Sequence, residues 1–138
     1  MRRLSDIVCN RNPLILEEII PVKDACQRMR EHQAGAVLVC DRDGRLTGIF
    51  TGRDAVRRVL AAGKSSKVKL KEAMTRDPVT MAPDKPAIEA LRLMWDGGFR
   101  HLPLVENRRI VGVISRGDFG SEERLTLDEE RLMWEQMR

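Results

Sequence analysis

Apolar and polar positions alternate in several distinct periods along the chain. Leu14-Ile15-Leu16 is a short apolar run that reads as a strand. After Pro21, apolar residues recur at Val22, Ala25, Cys26 and Met29, with Lys23, Gln27, Arg28 and Arg30 on the other side. This spacing predicts an amphipathic helix, and proline suits its first turn. Gly35 breaks the pattern. Ala36 to Cys40 is apolar and β-branched enough for a buried strand. Asp41-Arg42-Asp43-Gly44 predicts a hairpin turn with Gly44 at positive φ, and Leu46 to Phe50 is the returning strand. A helix is predicted over 51–62, with Ala55, Val56, Val59 and Leu60 inward and Gly63 as its stop.

The pattern then restarts. Lys64-Ser65-Ser66-Lys67 is linker-like, and Leu70 to Met74 predicts a short helical turn. Asp77-Pro78-Val79-Thr80-Met81 matches Asn12-Pro13-Leu14-Ile15-Leu16, and Pro86 matches Pro21. Ala87, Ala90, Leu91 and Met94 match Val22, Ala25, Cys26 and Met29. Leu102 to Val105 matches Val37 to Cys40, and Ile110 to Ile114 matches Leu46 to Phe50. The offset is 65 residues, falling to 64 after a shortened turn at Glu106-Asn107-Arg108-Arg109. Agreement in step over that length indicates a duplicated unit. Residues 1–63 form the first repeat and 64–120 the second, each reading strand, helix, strand, hairpin, strand, helix. A unit of about 60 residues has little core of its own. The expected fold is α+β, with two repeats packed sheet against sheet in pseudo-twofold symmetry and a cleft on either side of the axis. Residues 121–138 have no counterpart and form a helical extension. Thr126-x-x-Glu129 resembles a capping box, and Leu127, Leu132 and Met133 give a partial apolar stripe beside Trp134. That helix either folds back on its own domain or makes an oligomer contact.

The repeat carries one conspicuous motif. Gly48-Ile49-Phe50-Thr51-Gly52-Arg53-Asp54 is echoed by Gly112-Val113-Ile114-Ser115-Arg116-Gly117-Asp118. Each ends a strand and starts a helix. Gly117 and Gly120 flank the second aspartate, so the second closing helix is expected to be short or delayed. Hydroxyl-x-x-Asp has two readings. The hydroxyl caps the first helical turn while the acid caps back, a role that needs no ligand. Equally, a helix N-terminus suits phosphate, and an acceptor-only carboxylate suits the paired hydroxyls of a ribose. Arg53 and Arg116 sit inside the two corners, where a lone arginine serves either a solvated surface or a phosphate.

Composition narrows the classes. Apolar residues make up 42% and charged residues 33%, which places the chain among globular proteins. With no Tyr and only three Phe and two Trp, there is no aromatic platform for single strands. The net charge of +4 comes from scattered basic pairs and not from a run, which argues against a nucleic-acid arm. Cys9, Cys26 and Cys40 form no C-x-x-C, and His32 and His101 complete no metal cluster, so reduced, largely buried thiols of a cytoplasmic protein are expected. No apolar stretch is long enough for a bilayer. No Walker loop, G-x-S-x-G or Cys-His constellation marks an enzyme.

The stretches GAVLVCDRDGRLTGIFTGRD, MTRDPVTMAPDKPAIEALRLM and FRHLPLVENRRIVGVISRGD together resemble the cystathionine β-synthase (CBS) domain in its tandem form, the Bateman module. The resemblance covers about residues 4 to 120. It implies a stand-alone regulatory module without enzymatic activity that binds an adenosine-type ligand (AMP, ADP, ATP or S-adenosylmethionine). It needs no cofactor, although Mg accompanies a polyphosphate in some such sites. It implies head-to-head pairing into a disc-shaped homodimer and a separate protein target; nucleic-acid binding is the alternative. By the same resemblance, Asp54 and Asp118 hold ribose, and Thr51 and Ser115 contact phosphate or ribose. Pro13 and Leu14 line the adenine slot of one site and Pro78 and Val79 that of the other, and the strand leading into the corner adds Phe50 or Ile114. Arg100 and His101 match a position that often reaches phosphate, with Arg53 and Arg116 as further cations. The first repeat has Gly35-Ala36 where the second has Arg100-His101, so the two clefts are expected to differ. The cleft nearest Arg100 and His101 is expected to bind more tightly, and the Ser115–Asp118 corner is the expected site.

Overall fold

The computed structural model describes residues 2–137; Met1 and Arg138, the outer ends of the first repeat and of the tail, lie outside the described residues. In chain order the elements are α1 (Leu4–Val8), β1 (Ile15–Glu17), α2 (Val22–His32), β2 (Ala36–Cys40) and β3 (Leu46–Thr51). The closing helix α3 starts at Gly52–Asp54 and continues as a π-helix over Ala55–Leu60. Then come α4 (Leu70–Ala73), β4 (Thr75–Arg76), α5 (Ala87–Gly97), β5 (His101–Glu106) and β6 (Arg109–Ser115). A 3₁₀ turn, Arg116–Asp118, leads to α6 (Ser121–Gln136). The mixed α+β architecture of two repeats and a C-terminal helix is therefore present. Among the described residues, no helix is long and apolar enough to cross a membrane.

Pro21 and Pro86 occupy equivalent N-cap positions, and Val22, Ala25 and Met29 of α2 are buried like Ala87, Ala90, Leu91 and Met94 of α5. α2 ends at Gln33, which takes the left-handed conformation at φ 51°, two residues before the glycine expected to break it. Its amide donates to Arg30 O at 3.2 Å, and that of Ala34 to Met29 O at 2.9 Å, which satisfies the last turn.

One sheet has the order β1-β2-β3-β4, and β5 and β6 form the other. Both hairpins carry an irregularity at the same repeat position, Val39/Cys40 and Leu104/Val105. The strand expected around Pro78 to Met81 shrinks to a single parallel bridge, Met81 to Leu104. The preceding Thr75 and Arg76 instead pair with Ile49 and Gly48 on the edge of the first sheet.

Packing exchanges the short helices between the repeats. Leu4, Ile7 and Val8 of α1 join the core built on α5, Leu102, Leu104 and Ile114. Leu70, Ala73 and Met74, from the start of the second repeat, join the core built on α2, Val37, Val39 and Phe50. A third cluster (Ala36, Leu38 and Ile49, against Ile110 and Val113) is the seam between the sheets. Two glycines permit the exchange. A Cβ on Gly48 would stand 2.9 Å from Thr75 O, and one on Gly112 would stand 3.0 Å from Val8 Cβ.

The closing regions differ as the glycines suggested, but the first helix winds unexpectedly. Its i→i+5 hydrogen bonds, Ala61 N to Val56 O and Lys64 N to Val59 O, replace the α register. Only Val59 of the expected inward stripe is buried; Val56 and Leu60 are 56% and 74% exposed. α6 starts five residues before the expected cap, because Thr126 lies inside the helix and its Oγ1 donates to Glu122 O at 2.9 Å. α6 folds back on α5 through buried Leu127, an Arg92–Glu130 ion pair and Arg131 stacked 4.6 Å from the centre of the Trp95 ring. Of the thiols only Cys40 is buried; Cys26 is half-buried and Cys9, just past the end of α1, is exposed. Burial raises the pKa of both Cys26 and Cys40.

Candidate functional site

Both corners realise the capping geometry. Asp54 Oδ2 accepts from Thr51 N at 2.9 Å and Thr51 Oγ1 at 3.2 Å. Asp118 Oδ2 accepts from Ser115 N at 2.7 Å and Ser115 Oγ at 3.2 Å. The difference lies at the other carboxylate oxygen. Asp118 Oδ1 is held by Arg11 Nη1 at 2.6 Å. Asp54 Oδ1 has only long partners, Thr75 Oγ1 at 3.4 Å and Arg58 Nε at 3.3 Å. Long contacts leave that oxygen able to accept from a ligand.

A cavity of about 480 Å³ opens at the first corner. Thr51, Arg53 and Asp54 form one wall, Pro78 and Val79 from the second repeat a second, and Arg100 and His101 a third. The repeats thus cross-complement: the Arg100–His101 pair faces the Thr51–Asp54 corner. Ser115, Arg116 and Asp118 are not among the lining residues. The expectation that these cations serve the second corner is therefore corrected. The cause is the seam packing, which sets the first corner against Thr75, Pro78, Val79, Arg100 and His101 of the second repeat. Gly35 also lines the cavity, and its missing side chain makes room there, since a Cβ would lie 3.3 Å from His101 Nε2.

Three further placements depart from the sequence reading. Phe50 and Ile114 are fully buried in the two cores and line no part of this cavity. Side chains alternate across a strand, so Ile49, the neighbour of Phe50, faces the cavity instead. Leu14 is buried with the first core, beside half-buried Pro13. Arg116 is engaged structurally: Nε donates to Phe99 O at 3.0 Å and Nη2 to Met94 O at 2.9 Å, closing the C-terminal turn of α5. Its guanidinium lies 5.3 Å from the centre of the Trp95 ring.

Arg53 and Arg100 are exposed, and neither has an ion-pair partner among the described residues. Burial lowers the His101 pKa, opposed by Asp118 and assisted by Arg100. His101 shares the cavity lining with Arg53, Arg100 and the apolar Ile49, Pro78 and Val79. Among the described residues, no group of three His, Cys, Asp or Glu side chains suits a metal ion. The residues missed in the sequence were Ile49, Thr75 and Arg11. Strand alternation marks Ile49, whereas Arg11 and Thr75 reach the aspartates only through the exchanged packing.

The CBS-domain family model matches residues 4–61 and 70–119. A CBS domain-containing protein of Arabidopsis thaliana, CBSCBSPB2, is 40% identical over 102 residues, 73% of this chain and 19% of its own length. The chain spans about a fifth of the length of the first curated relatives it matches. Among solved structures, the CBS-domain containing protein ATU1752 from Agrobacterium tumefaciens is 32% identical with a TM-score of 0.77, covering 85% of this chain and 95% of that one. The CBS domain pair of protein MJ0100, in complex with 5′-methylthioadenosine and S-adenosyl-L-methionine, is 26% identical with a TM-score of 0.78, covering 91% and 99%. The chain belongs to the CBS-domain family and carries that domain as a tandem pair.

Proposed function

We propose that this chain is a regulatory sensor module that binds an adenine nucleotide (AMP, ADP or ATP) in the cavity at the first corner. The carrying observation is the meeting, in one cavity, of a carboxylate oxygen with only long partners, two unpaired arginines and an apolar slot. Asp54 accepts from the ribose hydroxyls, and Thr51 contacts the ribose or phosphate. The adenine lies against Ile49, Pro78 and Val79, and the phosphates meet Arg53, Arg100 and His101. Mg accompanies the ligand when it carries a polyphosphate. The second corner, with Asp118 tied to Arg11, is the weaker site. The module works without chemistry of its own in the cytoplasm, as a homodimer that passes ligand state to a separate protein target. Such a shift is limited by the ligand's differential affinity for the two states.

A second reading follows from the MJ0100 complex: an S-adenosylmethionine-type ligand in the same cavity. The charges separate the two, because a sulfonium cation is disfavoured beside Arg53 and Arg100 while a phosphate is favoured. Calorimetric titration with AMP, ADP, ATP, 5′-methylthioadenosine and S-adenosylmethionine decides it. Tighter binding of the phosphorylated ligands is expected. Tightest binding of S-adenosylmethionine would replace the nucleotide reading, and steeply salt-dependent retention of RNA with no response to AMP would replace both.

A further inference from the structure

The two repeats carry an arginine at the same position, and the two arginines do opposite things. Arg11 and Arg76 are in step with the Pro13–Pro78 pair that follows them. Arg76 is turned away from its corner. Its Nη2 donates to Lys71 O at 3.2 Å, and it does not line the cavity, although Thr75 and Asp77 on either side of it do. Arg11 is turned inward, with Nη1 on Asp118 Oδ1 at 2.6 Å. At the open corner the arginine points out, and at the closed corner it points in.

The closed corner keeps the parts that suit a nucleoside. Asp118 makes the same cap as Asp54 and uses only Oδ2 for it. Half-buried Pro13 and Val113 occupy the repeat positions of Pro78 and Ile49. The corners differ in charge for a phosphate. Arg53, Arg100 and His101 of the first cavity have Gly117, Gly35 and Ala36 as counterparts. Arg116 is committed to the end of α5, and Arg2, which donates to Asp118 O at 3.1 Å, is paired with Glu123. Arg58, which approaches Asp54, has Glu122 as its counterpart, so the closing helix brings no arginine to Asp118 from that position. Arg11 fills that role from a loop instead. Its side chain is 51% exposed, against 14% for Asp118. The pair is therefore a carboxylate set into the fold and a guanidinium that water can readily take back.

We propose that Arg11 is a tethered latch on a second nucleoside site, and that its release opens the Ser115–Asp118 corner to an adenosine-type ligand without a phosphate. The guanidinium donates to the oxygen that ribose hydroxyls would use, so latch and ligand compete for one acceptor. The apparent affinity of that corner is its intrinsic affinity reduced by the fraction of chains with the latch out. Arg76 displays the released position at the equivalent residue. The corners then differ in ligand class as well as in strength, with phosphorylated ligands at the first and uncharged nucleosides at the second. The second site rests on the adenosine-type ligand proposed above, but not on AMP occupying the first cavity.

Calorimetric titration with adenosine and AMP tests the latch. In full-length Asp54→Ala protein, which silences the first corner, adding Arg11→Gln is expected to tighten adenosine binding roughly tenfold or more. Adding Asp118→Ala is expected to abolish that gain, and AMP is expected to bind within about threefold of adenosine. Salt gives a reading without touching Arg11. Raising it screens the part-exposed Arg11–Asp118 pair, so adenosine binding to the unmutated protein is expected to strengthen several-fold, a rise absent in Asp118→Ala. Adenosine affinity unchanged by Arg11→Gln, or a gain that survives Asp118→Ala, overturns the latch. If Arg11→Gln does not fold, salt-insensitive adenosine binding overturns it. AMP bound roughly tenfold tighter than adenosine at the released corner overturns the ligand class. An Asp118-dependent gain in a chain whose unmutated form binds no AMP supports the latch and overturns the nucleotide reading of the first cavity.

Discussion

The two corners share a hydroxyl, a carboxylate and the same capping hydrogen bonds, and they differ at one oxygen atom. Arg11 closes Asp118 at 2.6 Å, whereas Asp54 has partners only at 3.3 and 3.4 Å. A duplicated motif thus performs its structural task twice and leaves only one carboxylate available beside a cavity. The cap occupies one carboxylate oxygen at each corner, and the neighbouring residues decide whether the other oxygen is held closely.

The comparison is tested most severely by removing each carboxylate while measuring AMP affinity. Asp54→Ala is expected to weaken binding roughly 10- to 100-fold, the range for a lost hydrogen bond to a charged group. Asp118→Ala is expected to leave affinity within about threefold, below the loss of one such bond. Both lose a cap and unfold more readily, by about 1 kcal/mol each in denaturant titration. Equal losses of affinity would put the corners on the same footing.

The walls contributed by the other repeat come next. Gly48→Ala forces a Cβ to within 2.9 Å of the Thr75 carbonyl, a backbone atom that cannot step aside without breaking the β3–β4 pairing. Gly112→Ala meets a valine side chain at 3.0 Å, which has more freedom to shift. Overpacking of this kind costs about 1–3 kcal/mol, with Gly48→Ala at the upper end. Because Thr75 borders the cavity, Gly48→Ala is also expected to weaken AMP binding while Gly112→Ala does not. Arg100→Ala is expected to reduce ATP affinity more than AMP affinity, by several-fold for the triphosphate.

The smallest effect concerns pH. Burial depresses the His101 pKa in the folded state, so unfolded chains bind more protons near their own pKa. The stability associated with His101 is complete above about pH 6.5, the unfolded value, and is lost as pH falls toward the lower folded value. His101→Gln is expected to flatten that part of the stability profile. Ala36, its counterpart in the first repeat, provides no matching titration.

Much of this was legible in the sequence. The offset that pairs Pro21 with Pro86 and Asp54 with Asp118 gave the duplication, and the strand-turn-strand patterns gave both hairpins. The substitution of Gly35-Ala36 for Arg100-His101 revealed that the clefts are unequal. It did not reveal which corner benefits, because the repeats face each other's strands and periodicity contains no such information. The placement of Phe50 in the first core and of Ile49 on the cavity side was available from strand alternation, since only one of two neighbours can face the cavity. The exposure of Val56 and Leu60 was not, because an α-helical period was applied where the chain winds as a π-helix. Thr75-Arg76 is too short and polar to announce a strand, and it forms one only because β3 offers an edge.

The most direct measurement is a crystal structure of the protein with AMP. The account predicts adenine against Ile49, Pro78 and Val79, ribose hydroxyls on Asp54 and phosphate near Arg53 and Arg100. AMP bound only at Ser115 and Asp118, with Arg11 displaced from the carboxylate, would contradict it.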